Sequence, residues 1–175
     1  FSDDQQILDF LKTLPIDSPF KKDADAATRW NNAFCLMAEL GLRPTEVNKL
    51  IIKKDPTTKE FYWWCTYEKK GGGGTTEPRR IEPLPLMDRD GKEVQWNLID
   101  RFRANLLPLP ERVDGDACKV YLQRREGWRQ LKEMMKKKEG SNLVPYSFRH
   151  YYSLRGHIAG IDSGSMASSM GHSIE

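Results

Sequence analysis

Trp30, Ala33, Phe34, Met37 and Leu40 recur at the three- and four-residue spacing of one helical face, and Gly41 follows where a left-handed residue commonly caps a helix. A stripe this bulky has to be covered by other elements, so the spacing predicts a central buried helix around which the remaining chain packs. With 175 residues, 38% hydrophobic and 30% charged, there is material for one proper core, and one domain is expected over residues 1–175.

The flanking segments fill in the architecture. Ser2 with Gln5 reads as a capping box for a first helix carrying Ile7, Leu8 and Leu11 and stopped by Pro15. Pro44 and Glu46 suit the first turn of another helix, with Val47, Leu50 and Ile51 as its buried side. The aromatic and β-branched run from Glu60 to Tyr67 predicts a strand, and Arg80 to Leu86 a second extended segment. Between them Lys69-Lys70 and four glycines form a flexible hairpin tip. Trp96, Ile99 and Phe102 outline a helix ending near Pro108, Asp116 can cap a long basic helix running to about Lys138, and two more helices follow Pro145, separated by a turn from Gly160 to Gly164. The fold class expected is α+β, mostly α-helical, with one small antiparallel sheet.

The net charge of +3 is mild, so a surface for a polyanion has to come from local clustering of lysine and arginine. Cys35, Cys65 and Cys118 fall in helix, strand and helix start without a CxxC pair, which suits a reduced, intracellular protein. No apolar run reaches the length of a membrane span, so no membrane partner is expected. The first residue is Phe1 rather than methionine, which reads as a piece of something longer. The chain carries no P-loop, HExxH or GxSxG pattern and no gathered carboxylates for magnesium-dependent nuclease chemistry, so neither cofactor nor metal is expected.

Two short stretches at opposite ends carry the chemistry: Gly41-Leu42-Arg43-Pro44-Thr45-Glu46, and Tyr146-Ser147-Phe148-Arg149-His150 with Gly171-His172 beyond it. Planar guanidinium forks donate paired hydrogen bonds to phosphate oxygens, so Arg43 and Arg149 brought together could enclose a phosphodiester. Neither arginine is informative alone; the order of the whole set is.

In that order and spacing the chain resembles the catalytic domain of the tyrosine recombinases, the phage-integrase family, over nearly its whole length. Arg43 and Glu46 match the family's GLRxxE, with the glutamate in a structural or capping role. The resemblance implies a lysine at the hairpin tip that protonates the departing 5′-hydroxyl; Lys69 and Lys70 are both available, and Lys70 is preferred because it directly precedes the glycines. Where the family usually shows His-x-x-Arg this chain has Tyr146-x-x-Arg149, and a phenol, ionising near ~10, is a poor base at neutral pH although it can still bond a phosphate oxygen. His172 matches the family's last histidine before the nucleophile, a donor to a non-bridging oxygen. His150 is expected to be a buried structural residue, His157 surface or core, and Tyr151 and Tyr152 packing residues. The attacking tyrosine of the family lies beyond Gly-His, so the domain is expected to end before its nucleophile and to be inactive as a fragment.

The function so implied is site-specific recombination, the integration or excision of phage or mobile DNA, through a 3′-phosphotyrosine intermediate and without a cofactor. The partner would be double-stranded DNA, with full-length protomers acting as a tetramer in a bacterial cytoplasm, associated with the nucleoid. Further DNA contacts are expected from Lys69, Arg79, Arg80, Arg124, Arg125, Arg129 and Lys132, which would position the duplex through its phosphates. Three alternatives stay open: an inactive DNA-binding module of the same fold, a type IB topoisomerase-like relaxing enzyme, and a helical interaction domain with a chance match.

Overall fold

The structure, a computed structural model, describes residues 1–72 and 74–172. The glycine at the hairpin tip, Gly73, and the last three residues of the expected domain, 173–175, lie outside the described residues. Seven α-helices are described: α1 (Asp4–Lys12), α2 (Lys21–Leu40), α3 (Leu98–Arg103), α4 (Gly115–Gln123), α5 (Glu126–Glu139), α6 (Ser147–Ile158) and α7 (Ser163–Met170). A 3₁₀ turn (Pro44–Lys49) leads into a three-stranded sheet of β1 (Leu50–Lys54), β2 (Phe61–Cys65) and β3 (Arg79–Ile81). Both strand pairs are antiparallel in the order β1-β2-β3, so the fold is α+β and mostly helical, as the sequence implies.

The expected central helix is α2. Ala33, Phe34, Met37 and Leu40 are fully buried, and Trp30 nearly so. Phe34 stacks on Phe148 with ring centroids 5.4 Å apart and planes 4° from parallel, while Phe148 also stacks on Trp128 of α5 at 6.2 Å. Each buried ring contributes roughly 1.5–3 kcal/mol, so Phe148 locks the start of α6 onto α2. That fixes the residue that follows it, Arg149.

Three expectations need correction. Positions 44–54 do not form one helix: a single 3₁₀ turn gives way to β1, in which Leu50 is buried and Ile51 is 43% exposed, the alternation of a strand. The β-branched pair Ile51-Ile52 sits opposite Trp64 and Trp63, and such cross-strand packing outweighs a helical start signal. The long basic helix is two, with Asp114 rather than Asp116 capping the first by accepting from Ala117 N. Leu122 and Trp128 are both buried, yet six residues is one and two-thirds turns, which would put them on different faces of a continuous helix; the break at Arg124-Arg125 lets both turn inward. At the amino end the cap of α1 is Asp3, which accepts from Gln6 N, rather than Ser2.

The three cysteines are buried and unpaired in α2, β2 and α4, and burial pushes the Cys118 thiol up to about 12. No helix among the described residues is long and apolar enough to cross a membrane. Among those residues no group of three His, Cys, Asp or Glu is placed to hold a metal ion.

Candidate phosphate site

Gly41 ends α2 in the left-handed conformation, φ +65°, which glycine adopts without strain. A Cβ there would lie 2.3 Å from Cδ1 of Tyr152, so α6 also crosses too closely for any side chain. The chain leaves this turn in an extended Arg43, which caps the 3₁₀ turn: its N–H donates to Glu46 Oε1 at 2.8 Å and its Nη1 to Glu46 Oε2 at 3.1 Å. Glu46 is wholly buried and serves more than this cap. Arg79 grips it from β3, and Arg149 Nη1 lies 3.9 Å from its Oε1. The Cys65 thiol donates to the same carboxylate at 3.7 Å. Burial pushes the Glu46 carboxyl up, but the Arg79 hydrogen bonds, reinforced by the backbone and charge of Arg43, hold it below the usual carboxylate range.

The carboxy-terminal end of α7 receives what Glu46 does not. Arg149 Nη2 donates to Met170 O at 2.6 Å, and Arg43 Nη1 reaches the same oxygen at 3.4 Å. Arg79 Nε donates to Ser169 O at 2.7 Å, and Arg43 Nη2 approaches Gly171 O at 3.5 Å. Three guanidiniums thus meet the negative end of one helix dipole. Gly171 takes the left-handed φ of +74° needed to turn the chain there, and a Cβ on it would lie 2.8 Å from the Arg79 guanidinium. His172 follows as an exposed residue whose backbone N–H donates to Ala167 O.

The two arginines expected to form a clamp therefore converge on one carbonyl oxygen, that of Met170, with Arg43 alone opening onto a surface depression. Arg149 is buried, anchored by Nη1 on Gly41 O at 2.7 Å; burial and the nearby Arg43 push its guanidinium down to about 10, against the opposing pull of Glu46 and Tyr146. Arg43 keeps 19% of its side chain exposed and lines a depression of about 400 Å³ together with Lys69, Lys119 and Tyr146. Three guanidiniums face one carboxylate, so the cluster carries an excess of positive charge at the edge of the core. Such an arrangement is preorganised to accept an anion without a metal.

The other expected residues divide. Lys69, not the preferred Lys70, lines the depression; it is placed by its antiparallel bridge to Thr76, while Lys70 sits beyond that bridge. Tyr146 is 38% exposed on the rim, and its ring packs against that of His150 at 5.6 Å. His150 is exposed rather than buried, because it lies on the solvent side of α6 next to inward-facing Arg149. His157 is exposed as well, whereas Tyr151 and Tyr152 are core residues.

Arg79, expected to reach outward to DNA, is 7% exposed and spent on Glu46 and α7. Strand alternation was the available signal, since it places Arg79 on the same face as buried Ile81 and turns Arg80 away. Arg80 stacks over Tyr62 at 4.3 Å, outside the depression. Arg124, Arg125, Arg129 and Lys132 do not line it either; Arg125 stacks over Tyr121 at 4.6 Å and Arg129 donates to Gln123 O at 2.8 Å.

No protein-family model matches the chain, and no curated protein matches it. Among solved structures, a fragment of the Tn1549 transposon integrase in complex with circular intermediate DNA is 18% identical, with 97% of this chain and 57% of that one aligned and a TM-score of 0.49. A variant of that fragment in complex with transposon right-end DNA gives the same identity and TM-score, with 97% and 56% aligned. The chain thus spans a little over half the length of the solved chains it is similar to.

Proposed function

We propose that this chain is the phosphate-activating part of a DNA strand-exchange enzyme of the tyrosine-recombinase type, acting on mobile DNA. The observation that carries the reading is the meeting of Arg43 and Arg149, from opposite ends of the sequence, on the single oxygen of Met170. A scissile phosphate beside Arg43 would receive donors from both guanidiniums, which offset the charge that grows on its non-bridging oxygens as the pentavalent transition state forms. Lys69, which lines the depression together with Lys119, would protonate the departing 5′-hydroxyl, and Tyr146 on the rim would bond a phosphate oxygen. His172 is assigned the remaining donor to the phosphate. A tyrosine nucleophile would store the cleaved bond as a phosphotyrosine ester, so that rejoining requires no cofactor. The whole protein would act on double-stranded DNA as a tetramer of protomers, in the cytoplasm.

The decisive experiment uses a chain that continues past Glu175 through the next tyrosine, incubated with a nicked suicide duplex. A covalent protein–DNA adduct lost in Arg43→Ala and in Arg149→Ala is the expected result; an adduct that survives both changes overturns the assignment. Duplex binding by the present chain should also fall steeply as salt rises.

A further inference from the structure

On another part of the molecule the last turn of α2, β2, the return from β3 and the segment before α3 enclose a cavity of about 360 Å³ that shares no lining residue with the arginine depression. Glu39 lines it, 9% exposed, and no hydrogen bond or ion pair from any described residue reaches its carboxylate. Arg155, the cation whose charge acts on Glu39, commits both terminal nitrogens elsewhere: its Nη1 donates to Leu84 O and its Nη2 to Ala38 O, both at 2.5 Å. Burial, opposed by Arg155 and helped by Glu93, pushes the Glu39 carboxyl up to about 7. A buried carboxylate without a partner is costly, and here it faces open space.

The rest of the lining says what would satisfy it. Glu82, Glu93 and Asp100 add three exposed carboxylates, against the single guanidinium of Arg80. In a chain of net charge +3, this cavity is a local pool of negative charge that repels phosphate. A metal ion is a poor occupant, because no three acidic, His or Cys side chains among the described residues are gathered tightly enough to ligate one. A neutral apolar ligand would leave Glu39 unpaired. Trp63 and Trp96 also line the space, and indole faces attract ammonium groups and pack against alkyl chains.

We propose that this cavity binds an alkylammonium group, with Glu39 as the deep anion and the outer carboxylates guiding the charge in. The same chemistry is carried by a free aliphatic diamine and by a lysine side chain of a protein.

Isothermal titration of the chain at pH 7 with 1,4-diaminobutane, Nα-acetyl-lysine methylamide and 1-butanol tests it. The diamine is expected to bind, butanol not to bind, and binding to release protons in a buffer-dependent way as Glu39 ionises. Glu39→Gln should weaken binding about tenfold and abolish the proton release. Because Glu93 and Asp100 are exposed, Glu93→Gln with Asp100→Asn provides a second variant that keeps the fold, and it should weaken binding several-fold. Binding of the lysine derivative as tightly as the diamine assigns the site to a protein side chain; preference for the diamine assigns it to a free polyamine. Absence of binding by both ammonium compounds, butanol binding equal to theirs, or unchanged affinity in both variants overturns the proposal.

Discussion

Arg79 holds Glu46 by both carboxylate oxygens, Nη1 to Oε2 at 2.6 Å and Nη2 to Oε1 at 3.1 Å, and so ties the third strand to the turn that carries Arg43. Glu46 is the one carboxylate these guanidiniums face among the described residues, and its removal strands buried positive charge.

Glu46→Gln should lower unfolding stability by about 3–5 kcal/mol in urea melts near neutral pH. Pairing Glu46→Gln with Arg79→Met should cost less than the sum of the two single changes, because the pair is removed together. Since the folded-state carboxyl is held below its usual range, its contribution is complete above that range and is lost as pH falls through the folded value. The acid limb of stability should therefore flatten in Glu46→Gln.

Arg43 and Arg149 should separate on stability although both serve the proposed phosphate. Arg149 is 4% exposed in its side chain and bonds two backbone carbonyls, so Arg149→Ala should cost about 2–4 kcal/mol. Arg43→Ala, at the partly open edge, should cost about 1 kcal/mol and still lower adduct formation about 10²–10³-fold. Thermal melts beside suicide-duplex assays measure both.

Gly41→Ala should destabilise by about 2–4 kcal/mol, combining the left-handed backbone with the clash on Tyr152. It also displaces the carbonyl that anchors Arg149, so strand cleavage should fall further than Arg43→Ala alone lowers it. A circular-dichroism melt and an adduct assay on the same preparation give the comparison.

Glu39 makes the opposite pH signature to Glu46. Its folded pKa is raised to about 7, so the folded state keeps the proton after the unfolded chain has lost it. Its contribution is complete below the ordinary carboxylate value and is lost as pH rises through about 7, a change of about 3 kcal/mol. Urea melts from pH 4 to 8 should show Glu39→Gln gaining relative stability as pH rises, and saturating diamine should diminish that gain.

Lys69→Ala should reduce cleavage of a normal duplex about 10²-fold, and Lys70→Ala should leave it within about twofold. A duplex whose departing 5′-oxygen is replaced by sulfur needs no proton donor, so it should restore the Lys69→Ala rate. Equal defects in the two lysine variants would return the choice between them to the sequence.

The helical stripe of α2, its glycine cap and the aromatic strand were legible in the sequence, because periodicity, turn chemistry and residue type act locally. Arg43, Glu46 and Arg149 were legible as residues that could act together, although their distances were not. Local signals failed where packing overruled them: Ile51-Ile52 joined the sheet through Trp63 and Trp64, and the basic helix broke so that Leu122 and Trp128 could both be buried. Tertiary structure alone decided that inward-facing Arg79 clasps Glu46, set Lys69 rather than Lys70 beside Arg43, and left Glu39 facing an acidic cavity. The reason is that a residue's type states what it can bond, whereas partners distant in the chain decide which bonds form and which charges remain open.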